Sequence, residues 1–142
     1  IDGLEINDKG KGILAGRIEK KPYSNNNGSI NNQNFNSKSK LFLIGFDYKN
    51  KQYNWTNTLG DNYEGQSNGI TKTIYDIHLN DNTVYICGSY WGEVSAYDAF
   101  LTSLSANSGV KNWEKIHGSN SLYNGKDDQF VSIYPEKGSN SI

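Results

Sequence analysis

Leu41–Gly60 (LFLIGFDYKNKQYNWTNTLG) returns as Ala99–Gly118 (AFLTSLSANSGVKNWEKIHG) without a gap, setting Phe42 on Phe100, Leu43 on Leu101, Asn54 on Asn112, Trp55 on Trp113 and Gly60 on Gly118. A repeat of this length marks stacked supersecondary units, each needing a neighbour to cover its apolar face. The match continues upstream, where Leu4-Glu5-Ile6-Asn7-Asp8 parallels Ile77-His78-Leu79-Asn80-Asp81 and Ile13-Leu14-Ala15-Gly16 parallels Tyr85-Ile86-Cys87-Gly88. Upstream spacing exceeds downstream spacing, and one insertion in the first unit, at about 20–38, accounts for the difference. The insertion is polar and Asn-rich (Asn25, Asn26, Asn27, Asn31, Asn32, Asn34, Asn36), so a solvated loop is expected there. A third unit is expected to start at Val131-Ser132-Ile133, in the place of Ile77-His78-Leu79. The units then divide as 1–69, 70–129 and 130–142.

Each unit reads as four strands. Runs suited to strands occur at Gly3–Asn7, Gly12–Ile18, Lys40–Tyr48, Gln52–Leu59, Lys72–Asn80, Thr83–Tyr90, Ala99–Ser105, Val110–His117 and Phe130–Tyr134. Between them stand Asn7-Asp8-Lys9-Gly10, Lys49-Asn50-Lys51, Asn80-Asp81-Asn82 and Asn107-Ser108-Gly109, clusters that tolerate positive φ and close tight hairpins. No segment carries an i, i+3, i+4, i+7 apolar stripe long enough for three helical turns, so an all-β fold is expected with almost no helix. Ten tyrosines and 15 glycines fit that class, one favouring strands and the other the turns between them.

At this point the residues resemble a known group. Asn82-Thr-Val-Tyr-Ile-Cys-Gly-Ser, then Asp98-Ala-Phe-Leu, then Asn107-Ser-Gly-Val-Lys-Asn-Trp113 and His117-Gly118, is similar to the short repeat of bacterial-type β-propellers. The strand ending in Trp113 also resembles the "TGK-x-x-W" strand of quinoprotein-type blades. The resemblance implies four-stranded antiparallel blades, about two of them plus the start of a third. Propellers close with about 4–8 blades, so a segment of a larger propeller is expected, as the absence of methionine also suggests. In blade geometry Trp55 and Trp113 fill the space between neighbouring sheets, where one large ring buries much area.

Reactive chemistry is sparse. The 14 basic side chains against 15 acidic ones, net −1, leave no electrostatic footprint for nucleic acid or an anionic membrane. No run approaches the ~20 apolar residues of a membrane-spanning helix. Cys87 is the sole cysteine, which rules out an intrachain disulfide and reads as a small buried strand residue. His78 and His117 are the only histidines; neither has a second ligand at metal-binding spacing, so no metal site and no catalytic residue is assigned. Carboxylates gather at Asp61-Asn62-Tyr63-Glu64 and Asp127-Asp128. Calcium is the cofactor they would admit, but neither stretch has the spacing of a calcium loop; no cofactor is expected.

The recognition candidate is the connection Tyr90-Trp91-Gly92-Glu93-Val94-Ser95-Ala96-Tyr97-Asp98, whose aromatics Tyr90, Trp91 and Tyr97 could stack on a sugar or anchor a protein. Asn27, in Asn27-Gly28-Ser29, is a glycosylation candidate in the loop, whereas Asn54-Trp55-Thr56 is expected to be packed in a strand and unusable. The expected role is a non-enzymatic structural or recognition scaffold, with other blades of a longer chain, partner proteins or glycans as partners in an extracellular or cell-surface setting. Two rivals remain: a fragment of a quinoprotein-like propeller enzyme, and a carbohydrate-binding β-sandwich. Quinone binding needs converging cations, and Arg17 is the sole arginine. A propeller pairs strands within each repeat, a sandwich across it.

Overall fold

A computed structural model describes residues 1–19, 28–30, 33–35, 39–59, 72–91, 97–118 and 128–134. The ten strands are β1 (Gly3–Ile6), β2 (Lys11–Glu19), β3 (Gly28–Ile30), β4 (Gln33–Phe35), β5 (Ser39–Asp47), β6 (Gln52–Leu59), β7 (Lys72–Asn80), β8 (Thr83–Trp91), β9 (Tyr97–Ser105) and β10 (Lys111–His117), and no helix occurs among the described residues. Two four-stranded antiparallel sheets result, in the orders β1-β2-β5-β6 and β7-β8-β9-β10. Pairing stays within each repeat, as the turn chemistry requires. Gly10 (φ 96°) and Gly109 (φ 69°) take the left-handed positions of two turns, and Lys51 (φ 55°) and Asp81 (φ 47°) those of the other two. The Asn7 side chain accepts from the Lys11 amide at 3.0 Å and Asp47 accepts from the Asn50 amide at 3.0 Å, which closes the first and second hairpins locally.

In strand assignment, sequence and structure differ in two places among the described residues. The insertion contains a two-stranded hairpin, Gly28–Ile30 against Gln33–Phe35, where a loop is expected. Two asparagines, 31 and 32, separate its strands in the sequence, the spacing and chemistry of a tight hairpin. Conversely, 130–134 is not a laddered strand. It touches the second sheet through single contacts: the Phe130 amide donates to the Gly88 carbonyl at 3.4 Å and the Ile133 amide to an Asp76 carboxylate oxygen at 2.9 Å. One chain segment without a paired neighbour satisfies its amides singly.

The two sheets stack face to face along a seam formed by Ile13, Ala15, Leu41, Leu43, Trp55 and Leu59 from the first and Ile74, Ile77, Leu79, Val84, Ile86, Phe100, Leu104 and Ala106 from the second. Strand alternation puts these residues on one side of each sheet. Corresponding residues do not meet there. Leu43 is in the seam but its counterpart Leu101 is not; Phe100 is in the seam, while its counterpart Phe42 lies on the far side of the first sheet, its ring over Gly16. The front of the first sheet therefore packs on the back of the second. This is a head-to-tail relation, which leaves an equivalent front on the second sheet and an equivalent back on the first.

Edge strands β6 and β10 each contain a bulge at the same place. Gly45 pairs with Trp55 and Phe46 with Tyr53, leaving Asn54 over; Lys111 pairs with Leu104 and Trp113 with Ser103, leaving Asn112 over. The repeated Asn-Trp dipeptide thus encodes an extra residue that twists an outer edge and hinders further pairing.

Candidate functional site

Among the described residues, side-chain contacts between the two sheets gather along the seam. At its outer end the Trp55 indole N–H donates to the Ala106 carbonyl at 2.9 Å, and the ring lies against Gly109 so closely that a Cβ there would sit 2.4 Å from Cε3. Gly109 is required twice over, for its positive φ and for the missing side chain. The Asn57 side-chain amide donates to the Gly109 carbonyl at 2.5 Å, so two residues of β6 hold one turn of the second sheet. The hairpin tips are joined by lysines. Lys9 Nζ lies 2.6 Å from an Asp81 carboxylate oxygen, and Lys11 Nζ donates to the side-chain oxygens of Asn82 and Asn107 at 2.5 and 2.6 Å. Asp81 holds the exposed Lys9 ammonium above its usual pKa by hydrogen bond and charge.

Inside the second sheet lies a buried ion pair. Lys72 Nζ reaches from edge strand β7 to the Glu114 carboxylate on β10 at 2.6 Å, passing 5.1 Å from the centre of the Phe100 ring. Thr102 Oγ1 donates to the same carboxylate oxygen at 2.7 Å and Lys111 Nζ lies 3.5 Å from the other. Burial alone would raise the Glu114 pKa; the bonds from Lys72 and Thr102 and the two lysine charges outweigh it and hold the group below its ordinary value. Nearby, Arg17 Nη2 donates to Thr73 Oγ1 at 3.2 Å across the seam, while its buried Nε has no acceptor among the described residues. These charges tie strands and sheets together, and Glu114, engaged by three donors, is not poised for proton transfer.

The residues singled out from the sequence are dispersed. Tyr90 and Trp91 end β8 and Tyr97 opens β9, with backbone pairs Tyr90 to Asp98 and Trp91 to Tyr97. Their side chains, and the connection 92–96, lie outside the described residues. Asn27 and the carboxylates Asp61, Glu64 and Asp127 also lie outside them. His78 on β7 packs against Tyr134 with ring centres 6.2 Å apart, and His117 is exposed at the opposite edge on β10. No group of three metal-ligating side chains occurs among the described residues. Cys87 is buried, and desolvation first, then the Asp76 charge, pushes its thiol up to about 11. No described helix is long and apolar enough to cross a membrane.

Two features of the described residues are not carried by the local sequence pattern. Asn54 is exposed, as the extra residue of the bulge, whereas a packed strand is expected to hide it. The Lys72–Glu114 pair was legible only as a lysine two residues before Ile74, on an otherwise apolar side of β7. No protein-family model, curated protein or solved structure matches the chain.

Proposed function

We propose that the chain is two consecutive blades and the beginning of a third from a β-propeller, acting as a non-enzymatic scaffold or recognition module within a larger protein or assembly. The observation that carries this reading is the head-to-tail seam, with Leu43 and Trp55 of one sheet against Phe100 and Ala106 of the next. Two sheets that bury equivalent faces against each other make a complete sandwich; two that bury unlike faces leave one of each kind for further members. Residues 130–134 support the same reading, since Ile133 is buried against the second sheet where a third would begin. The aromatic hairpin end at Tyr90, Trp91 and Tyr97 is the contact proposed for a glycan or a partner protein.

The test is the intact mass and electron-microscopic shape of the natural gene product. The expected result is a ring of about 4–8 such sheets. A natural product that is a stable particle of two sheets overturns the proposal.

A further inference from the structure

We infer that Asn54 is an acceptor for an N-linked glycan, carried on the outer edge of the first sheet. Asn54-Trp55-Thr56 has the acceptor spacing, an asparagine two residues before a hydroxyl. With Gly45 paired to Trp55 and Phe46 to Tyr53, Asn54 is the extra residue of the bulge, and it is exposed although Trp55 beside it is buried. The bulge separates the two neighbours. The indole ring turns into the seam, and the carboxamide is left in water on the last strand of its sheet.

The second unit shows the same asparagine in a structural role. Asn112 is the extra residue of the bulge in β10, and its side-chain amide donates to Ser103 Oγ at 3.2 Å. Two exchanges free Asn54 from that role and complete the acceptor. The residue aligned with Ser103 is Gly45, which has no hydroxyl to offer and over which the Trp55 ring lies so closely that a Cβ would collide with Cε2. Asn54 Nδ2 accordingly has no acceptor among the described residues. The residue aligned with Glu114 is Thr56. Where the second sheet has the carboxylate that binds Lys72, the first has the hydroxyl that a glycan acceptor needs. Asn112-Trp113-Glu114 lacks that hydroxyl and takes no glycan.

The donor is a lipid-linked oligosaccharyl diphosphate. A bond forms between Asn54 Nδ2 and C1 of the first sugar, the C1–O bond to the diphosphate breaks, and the amide proton leaves with the lipid diphosphate. A glycan at this position costs the seam nothing, because the side chain that bears it points away from the packed ring. It also covers an outer strand edge with hydrated sugar, so that another chain cannot pair with β6.

The experiment is secretion of the full chain, behind a cleavable leader, from cells that make N-glycans. Glycans are released by amidase in heavy-oxygen water, and peptide mass spectrometry reads each modified asparagine as heavy aspartate. Asn54 should be occupied in secreted, folded chain, with occupancy lost in Thr56→Val and kept in Thr56→Ser. Asn54→Gln should lower the intact mass by one glycan and leave the urea midpoint unchanged, since the side chain it replaces bonds to no described residue. Bare Asn54, in cells that glycosylate a co-secreted control protein, overturns the inference. A glycan on Asn54 found only in misfolded chain retained in the cell also overturns it. Should the chain not be secreted, occupancy is read after translation into microsomes, and bare Asn54 there is equally decisive against it. Tolerance of the fold is tested separately on Asn54→Cys, refolded and alkylated at about pH 8 with an iodoacetamide derivative of N-acetylglucosamine. Residue 54 should take the sugar while Cys87 stays unlabelled and Trp55 fluorescence keeps its buried character; loss of that character overturns the inference.

Discussion

At the level of single residues, the seam depends on a few shapes that tolerate no substitute. Trp55→Ala removes a ring that is 93% buried by its 7% exposure and should lower stability by about 3–5 kcal/mol in urea unfolding. Trp55→Phe keeps much of the area, loses the bond to the Ala106 carbonyl, and should cost less than the alanine variant. Cys87 carries a pH signature. Its folded pKa of about 11 lies above the reference 9.0, so the folded chain holds a proton that the unfolded chain releases. Stability from the neutral thiol is complete below pH 9.0 and is lost as the pH rises toward about 11. Across that window the loss is on the order of 2–3 kcal/mol, and Cys87→Val should flatten the alkaline limb relative to the unaltered chain. The same thiol should resist alkylating reagents at pH 8, since thiolate is the reacting form.

Among the elements, the Lys72–Glu114 pair links the two edges of one sheet, and its worth differs from its visibility. Removing one partner leaves the other charge buried, so Lys72→Met or Glu114→Gln should each cost about 3–5 kcal/mol. The double variant Lys72→Met/Glu114→Leu should recover much of that, because two apolar groups need no partners. Glu114 sits below its normal pKa, so its contribution is present above the ordinary glutamate range and disappears as acid titrates it; that acid limb should be absent in the double variant. The strands themselves were largely legible. Gln52–Leu59 and Lys72–Asn80 coincide with β6 and β7, because Asn and Asp turns punctuate β-rich runs. The missed hairpin at 28–35 lies in so polar a stretch that composition masked two short strands. The bulges escaped because an extra residue changes pairing without changing alternation over a short window. The ion pair depends on two residues 42 apart in the chain, a proximity that local pattern does not encode.

For the molecule as a whole, the repeat made the two-sheet architecture readable, whereas the direction of stacking required coordinates. Periodicity says which residues face inward but not whether like meets like. The consequence for stability is that each sheet leans on its neighbour: Leu43→Ala, on the first sheet, should weaken amide-exchange protection in β7 and β8 as well as in β5 by a comparable factor, with a global cost of about 2–5 kcal/mol. Protection lost in the first sheet alone would mean that the sheets unfold independently.

Along the hairpin tips the interface changes character, from the exposed Lys9–Asp81 bridge at one corner to the turn that Lys11 and Trp55 share. Lys9 and Asp81 are solvent-exposed and bridge at one extremity, whereas Trp55 closes the outer strand's part of the interface with a neutral bond and apolar area. Added electrolyte weakens exposed ionic bridges and leaves hydrocarbon contacts intact. Raising ionic strength should therefore peel the paired sheets from the lysine corner first, like a book lifted at one corner of its cover while the rest stays glued.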